Sequence, residues 1–186
     1  MEEISMILSI AKDSMHAAIE HLQKELVKIR AGKASPSMLE GVMVDYYGSM
    51  TPLNQVANVN TPDPRTLSIQ PWEKAMLEPI EKAIMLANLG LNPQNNGELI
   101  MINVPALTEE RRKELVRQTK AEGEHAKVSI RNARKDANDE IKHLQKESIS
   151  DDLAKKAEDD VQKLTDDFIK KVDEHLAKKE KDIMTV

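Results

Sequence analysis

"TKAEGEHAKVSIRNARKDANDEIKHL", residues 119–144, is the stretch on which the fold turns. Thr119, Gly123, Ala126, Ile130, Ala133, Ala137, Ile141 and Leu144 recur there at steps of four and three, which on a helix is one continuous stripe. Its central members are small, so a neighbouring helix can approach closely. The helix has room to begin after Pro105, where Thr108 is a candidate N-cap and Glu109 and Glu110 suit the helix dipole.

Working outward, the same pattern appears on both sides. Ile4, Leu8, Ala11, Met15, Ala18, Leu22, Leu26 and Ile29 form a stripe that ends near Arg30, just before Gly32. After a break at "ESIS", Ser150 caps a third helix with Asp151 and Asp152 in its first turn. Leu153, Ala157, Val161, Leu164, Phe168, Val172 and Leu176 are its stripe. Its acid-to-lysine pairs at i, i+4, such as Asp159 with Lys163 and Asp167 with Lys171, are a surface device for helix stability. Three striped helices with a short second connection make an antiparallel bundle.

The middle is different. All eight prolines lie between Pro36 and Pro105, and proline inside a helix costs about 3 kcal/mol. "EGVMVDYYG", "RTLSIQPW" and "GELIMINVP" are strand candidates, "PDPRTL" is a turn leading into a strand, and "MLEPIEKAIMLANLG" is one short helix. Trp72, Tyr46 and Tyr47 are expected to serve this insert's small core, the alternative being that an exposed tyrosine contacts a partner. The expected class is therefore α+β: a long three-helix bundle (1–30 and 104–186) interrupted by a small β-rich domain with one helix (31–103).

Charge is distributed unevenly over a chain whose formal net charge is -5. On a wheel of about 100° per residue centred on Ile130, Lys113, Arg117, Lys120, Lys127, Arg131, Arg134, Lys135, Lys142 and Lys146 fall on one flank of the second long helix. Glu114, Glu122, Asp136, Glu140 and Glu147 fall on the other, with Glu110 and Glu124 as acidic intruders among the bases. An ordinary solvated face and a surface for polyanions both fit this arrangement. Separating the signs gives up i, i+4 pairs, however, and guanidinium groups suit phosphate, which singles out Arg131 and Arg134.

Other chemistry is thin. There is no cysteine, no HExxH-type site and no phosphate-cradling glycine loop, and the five histidines are scattered. "MEEISMILSI" is acidic where a signal peptide is basic, and no apolar run approaches about 18 residues. The expectation is a soluble, cytoplasmic, monomeric protein that is not an enzyme, needs no cofactor and avoids membranes.

Five blocks, "KIRAGKASPSMLEGVMVDYYG", "EKAIMLANLGLNPQNNG", "LTEERRKELV", "SIRNARKDAND" and "DDVQKLTD", resemble the ribosome recycling factor family, in order and over essentially the whole chain. The resemblance implies an L shape about a hinge and a translation factor without catalysis of its own. Such a factor binds the post-termination ribosome through large-subunit ribosomal RNA and splits the subunits with elongation factor G and GTP. It also implies that Arg134 is the critical arginine, that Arg131 and Asn132 neighbour it on the RNA, and that Arg30 and Arg112 are other basic positions of the RNA-facing surface; the basic flank itself adds Lys113, Arg117, Lys120 and Lys127 as candidate RNA contacts. Lys33 stands where the family commonly has arginine, which keeps the charge but loses a bidentate fork. The implied hinge lies at residues 31–36 and 104–107, including Ala31, Gly32, Ser35, Pro36, Val104 and Pro105. The competing reading is a coiled-coil adaptor or chaperone whose insert binds clients, which needs only the three stripes.

Overall fold

The computed structural model describes residues 1–30 and 32–185. In chain order its main elements are α1 (Glu2–Lys28), β1 (Met43–Tyr46), β2 (Ser49–Pro52), β3 (Ala57–Asp63), β4 (Thr66–Pro71), α2 (Leu77–Leu86), β5 (Pro93–Asn95), β6 (Ile100–Asn103), α3 (Glu109–Glu147) and α4 (Asp151–Met184). The chain is α+β and separates into two units, Met1–Ala31 with Glu109–Val186, and Gly32–Thr108.

In the first unit the three apolar stripes meet. α3 runs for 39 residues, or about 60 Å at 1.5 Å per residue. It buries Leu115, Thr119, Gly123, Ala126, Ile130, Ala133, Ala137 and Ile141, and α1 buries Ala11, Met15, Ala18, Ile19, Leu22 and Leu26. α4 differs from the expectation at two positions. It buries Ala154 and Thr165 in the seats expected for Leu153 and Leu164, and Leu153 is left 39% exposed. The buried hydroxyls of Thr119 and Thr165 donate to their own helices, at Leu115 O (2.9 Å) and Val161 O (2.8 Å), so neither is stranded.

Individual contacts fix the helix directions. His16 meets the Phe168 ring edge-on at 5.7 Å, and Gln23 approaches His175 at the same sequence offset of 152, so α1 and α4 run parallel. On α3, Lys127 faces Asp173 while the earlier Gly123 faces the later Leu176, so α3 and α4 are antiparallel. The corner between them is made by Ser150, whose hydroxyl accepts the Leu153 N–H at 3.3 Å, and by Gln145, which donates to Asp151 Oδ1 at 2.8 Å.

The second unit carries a four-stranded antiparallel sheet in the order β3-β4-β6-β5 and a separate β1-β2 hairpin. Leu67 pairs with Ile102 and Ile69 with Ile100, all four buried, and α2 lays Ile80 and Ile84 into the same core. That cross-strand alternation is what a sheet with one covered face requires. Asp63 Oδ1 accepts the Arg65 N–H at 2.9 Å, closing the β3-β4 turn at the expected "PDPRT". Trp72 and Tyr47 do not serve the core as expected. They are 62% and 73% exposed, because the short aliphatic chains of β4, β6 and α2 already fill it.

This unit ends at Thr108, beyond residue 103, where the insert is expected to end. Val104 is the reason: its side chain is buried in the sheet's core, and its N–H donates to Arg65 O at 2.7 Å. The incoming strand is held at the same turn, where Ala34 N–H donates to Pro64 O at 2.8 Å.

Candidate nucleic-acid interface

The interface is built by the way α3 is seated. α4 packs along the basic edge of its stripe, where Lys127 Nζ lies 2.8 Å from Asp173 Oδ1. α1 packs along the acidic edge, where Asp136 and Glu140 rim a groove floored by Ile7, Ile10 and Ala11. The two signs therefore leave the bundle on opposite sides of one buried line.

Exposure follows the wheel. Arg134 and Lys127 sit at about 40° and 60° from Ile130 and are half-buried, while Lys120, Arg131 and Arg117, at about 80°, 100° and 140°, are exposed. Asn132 is exposed next to Arg131. Arg117, Lys120, Arg131 and Arg134 have no ion pair among the described residues. Lys113 is paired with Glu109 at 3.1 Å, an exposed contact that solvent screens. Lys127 is the exception on this flank, since its side chain is only 17% exposed and is committed to Asp173.

The remaining basic positions lie elsewhere. Arg112 sits near the centre of the stripe and is half-buried, with its Nε lacking a hydrogen-bond partner. Arg30 is exposed, just past the C-cap of α1 at Ile29. Lys33 is exposed but belongs to the second unit, so it is not part of the α3 flank. Sequence reading passed over Asn138, whose side-chain oxygen is buried without a partner one turn beyond Arg134. Its angle of about 80° on the wheel was the available signal.

Of the expected hinge positions, Ala31 lies outside the described residues. Gly32 adopts φ +71°, and a Cβ there would come within 2.5 Å of Leu107 Cγ, so glycine is needed twice over. Ser35 caps the short turn that begins at Pro36, accepting the Ser37 N–H at 3.3 Å. Val104 is tied into the sheet, and Pro105 is exposed.

No group of three His, Asp or Glu among the described residues is placed to hold a metal ion, and none of the described helices is long and apolar enough to cross a membrane. What the α3 flank offers is a set of exposed and half-buried cationic groups along one helix, of which Arg117, Lys120, Arg131 and Arg134 have no ion pair among the described residues.

Comparison with known proteins gives a consistent result. The family model described as "Ribosome recycling factor" matches residues 22–184. The ribosome-recycling factor of Christiangramia forsetii is 62% identical over 186 residues, covering 100% of both chains. That of Flavobacterium johnsoniae is 59% identical over 185 residues, covering 100% of this chain and 99% of its own. A solution structure of a ribosome recycling factor superposes with a TM-score of 0.78 at 38% identity, with full coverage of both chains. A second structure contains the T. thermophilus ribosome recycling factor with the E. coli elongation factor G on the E. coli post-termination complex. It matches with a TM-score of 0.64 at 45% identity, over 98% of this chain and 99% of that one.

Proposed function

The chain belongs to the ribosome recycling factor family, and on that footing we propose that it binds the post-termination ribosome through large-subunit ribosomal RNA and, with elongation factor G and GTP, separates the subunits for reuse. It works in the cytoplasm as a monomer and catalyses no reaction itself. The observation that carries this reading is the basic flank of α3, on which Arg117, Lys120, Arg131 and Arg134 have no ion pair among the described residues. Arg134 and Arg131 grip phosphate or base edges, Asn132 adds a neutral hydrogen-bonding group, and Arg117 and Lys120 extend the electrostatic contact. Lys127 supports this surface from below through Asp173.

The rest of the molecule suits such a role. A bundle with a buried seam along its whole length transmits force without bending. The chain passes between the two units twice, and the hinge that the family resemblance implies, at residues 31–36 and 104–107, lies at or beside these crossings. Acidic surfaces elsewhere are repelled by phosphate and favour one docking orientation.

Co-sedimentation with separated large subunits over a salt series tests the proposal. Binding should weaken steeply as salt rises, because each phosphate contact releases counterions. Salt-indifferent binding, or none, would overturn the RNA-contact reading.

A further inference from the structure

The β1-β2 hairpin ends in a two-residue turn, Tyr47-Gly48, with φ of 49° and 86°. Asn, Asp or Gly ordinarily takes the first of these positions, because a left-handed backbone disfavours larger side chains. Here a tyrosine stands there, with its ring 73% exposed. Its hydroxyl donates to Glu73 Oε2 at 2.7 Å, and the Tyr46 hydroxyl donates to Glu73 Oε1 at 2.9 Å. The two rings meet edge to face, with centroids 4.7 Å apart. One carboxylate is thus gripped at both oxygens from 26 residues away in sequence.

A grip that only stapled the hairpin to the end of β4 could be covered, but this one is open. Glu73 is exposed, and its chain neighbour Trp72 is 62% exposed. Each carboxylate oxygen has accepted a single hydrogen and keeps a further acceptor direction toward solvent. The two phenols hold Glu73 below the usual carboxylate range, so it stays ionised near neutral pH. The result is a fixed negative charge with two tyrosine rings against it and Trp72 next to it in the chain.

We propose that Glu73, with Tyr46, Tyr47 and Trp72, receives an arginine side chain from a protein partner. The guanidinium fork matches the remaining acceptor directions of a carboxylate, and its flat face stacks on an aromatic ring, which an ammonium does less well. Charge selects protein over nucleic acid. Gly32–Thr108 holds four Lys and Arg against seven Asp and Glu, so a phosphate chain is repelled where a basic segment is drawn in. This surface is independent of the α3 flank, and its test makes no use of ribosomes, so either reading can fail alone.

Trp72 is the sole tryptophan and reports directly on the site. The intact protein is titrated with a short arginine-glycine peptide, with the matching lysine-glycine peptide and with a single-stranded RNA oligonucleotide, following Trp72 emission. A saturable change is expected with the arginine peptide, several-fold tighter than with lysine and absent with RNA. Glu73→Gln should weaken it about ten-fold or more and Tyr47→Phe several-fold, while Glu78→Gln, an acidic change elsewhere in the same unit, should leave it within about two-fold. Equal losses for Glu73→Gln and Glu78→Gln would reduce the effect to diffuse charge and overturn the proposal. So would saturation by RNA or no saturable change. If Glu73→Gln loosens the hairpin, the wild-type preference decides, and equal affinity for the arginine and lysine peptides sinks the site.

Discussion

Lys127 Nζ lies 2.8 Å from Asp173 Oδ1, and the contact ties α3 to α4 in the middle of the basic flank. It divides that flank into a residue that holds the bundle and neighbours that face outward. Lys127→Met should lower stability by about 1 kcal/mol or less, because Asp173 is 58% exposed and regains water. Arg131→Gln should leave the urea midpoint unmoved. If Lys127→Met costs nothing and Arg131→Gln destabilises the fold, that division is wrong.

Ribosome binding should respond in the opposite order. Arg134→Gln and Arg131→Gln each remove a guanidinium with no ion pair among the described residues, and each is expected to weaken co-sedimentation by about 1–3 kcal/mol. If the lost contact is to phosphate, the salt slope should fall by about 1 as well. Arg134→Lys should recover only part of the loss, since an ammonium cannot form the fork. Far-ultraviolet ellipticity should stay constant throughout, because glutamine is a good helix former.

Gly123 of α3 lies directly against Leu176 of α4. A methyl there would collide with Leu176 Cδ1 and lie only 2.8 Å from Cδ2 and 3.0 Å from Cγ, so the Leu176 side chain must move to admit it. Alanine would improve helix propensity by about 1 kcal/mol, but overpacking costs about 1–3 kcal/mol. Gly123→Ala should therefore destabilise on balance, and Leu176→Ala in the same chain should cost less than it does alone. Strict additivity in urea denaturation would count against this close approach.

The Tyr46–Glu73–Tyr47 grip should give the second unit a pH window. Glu73 is lowered, first by the Tyr47 hydrogen bond and then by that of Tyr46. Its contribution is complete above the usual carboxylate range and is lost as pH falls through its depressed value. Tyr46 and Tyr47 are both raised, chiefly by the bond to Glu73. Their contribution is complete below the usual phenol range and is lost as pH rises through the raised values. Trp72 emission and near-ultraviolet ellipticity should hold a plateau between those limits, and Glu73→Gln should flatten the acid limb. An acid limb unchanged by that substitution would assign it to other carboxylates.

How far these features were legible in the sequence depends on the distance over which they are decided. The stripes of α1 and α3 are local periodicities and could be read directly. Leu153 misled, because hydrophobicity alone could not show that its neighbour Ala154 takes the buried position. β3 and β5 escaped notice because both are sheet edges, with polar outward residues and prolines such as Pro62 and Pro93 that only an edge tolerates. The basic flank was readable as angles on a wheel. The commitment of Lys127 to Asp173 was not, since it depends on the axial offset between two helices. Nor was the grip on Glu73, which joins a hairpin tip to a residue 26 positions away.

The turn at Pro64 and Arg65 also bears on how the chain folds. Residues 32–108 interrupt the bundle, so α1 must find α3 across a long excursion. Closing an unstructured loop of that length costs on the order of 4 kcal/mol in chain entropy. Ala34 and Val104 both donate to that turn, so a folded insert holds its own entry and exit together before any helix has docked. The insert then serves as an internal tether that turns a distant encounter into a nearly local one. Loosening the turn with Pro64→Gly should slow bundle formation in stopped-flow refolding more than it speeds unfolding.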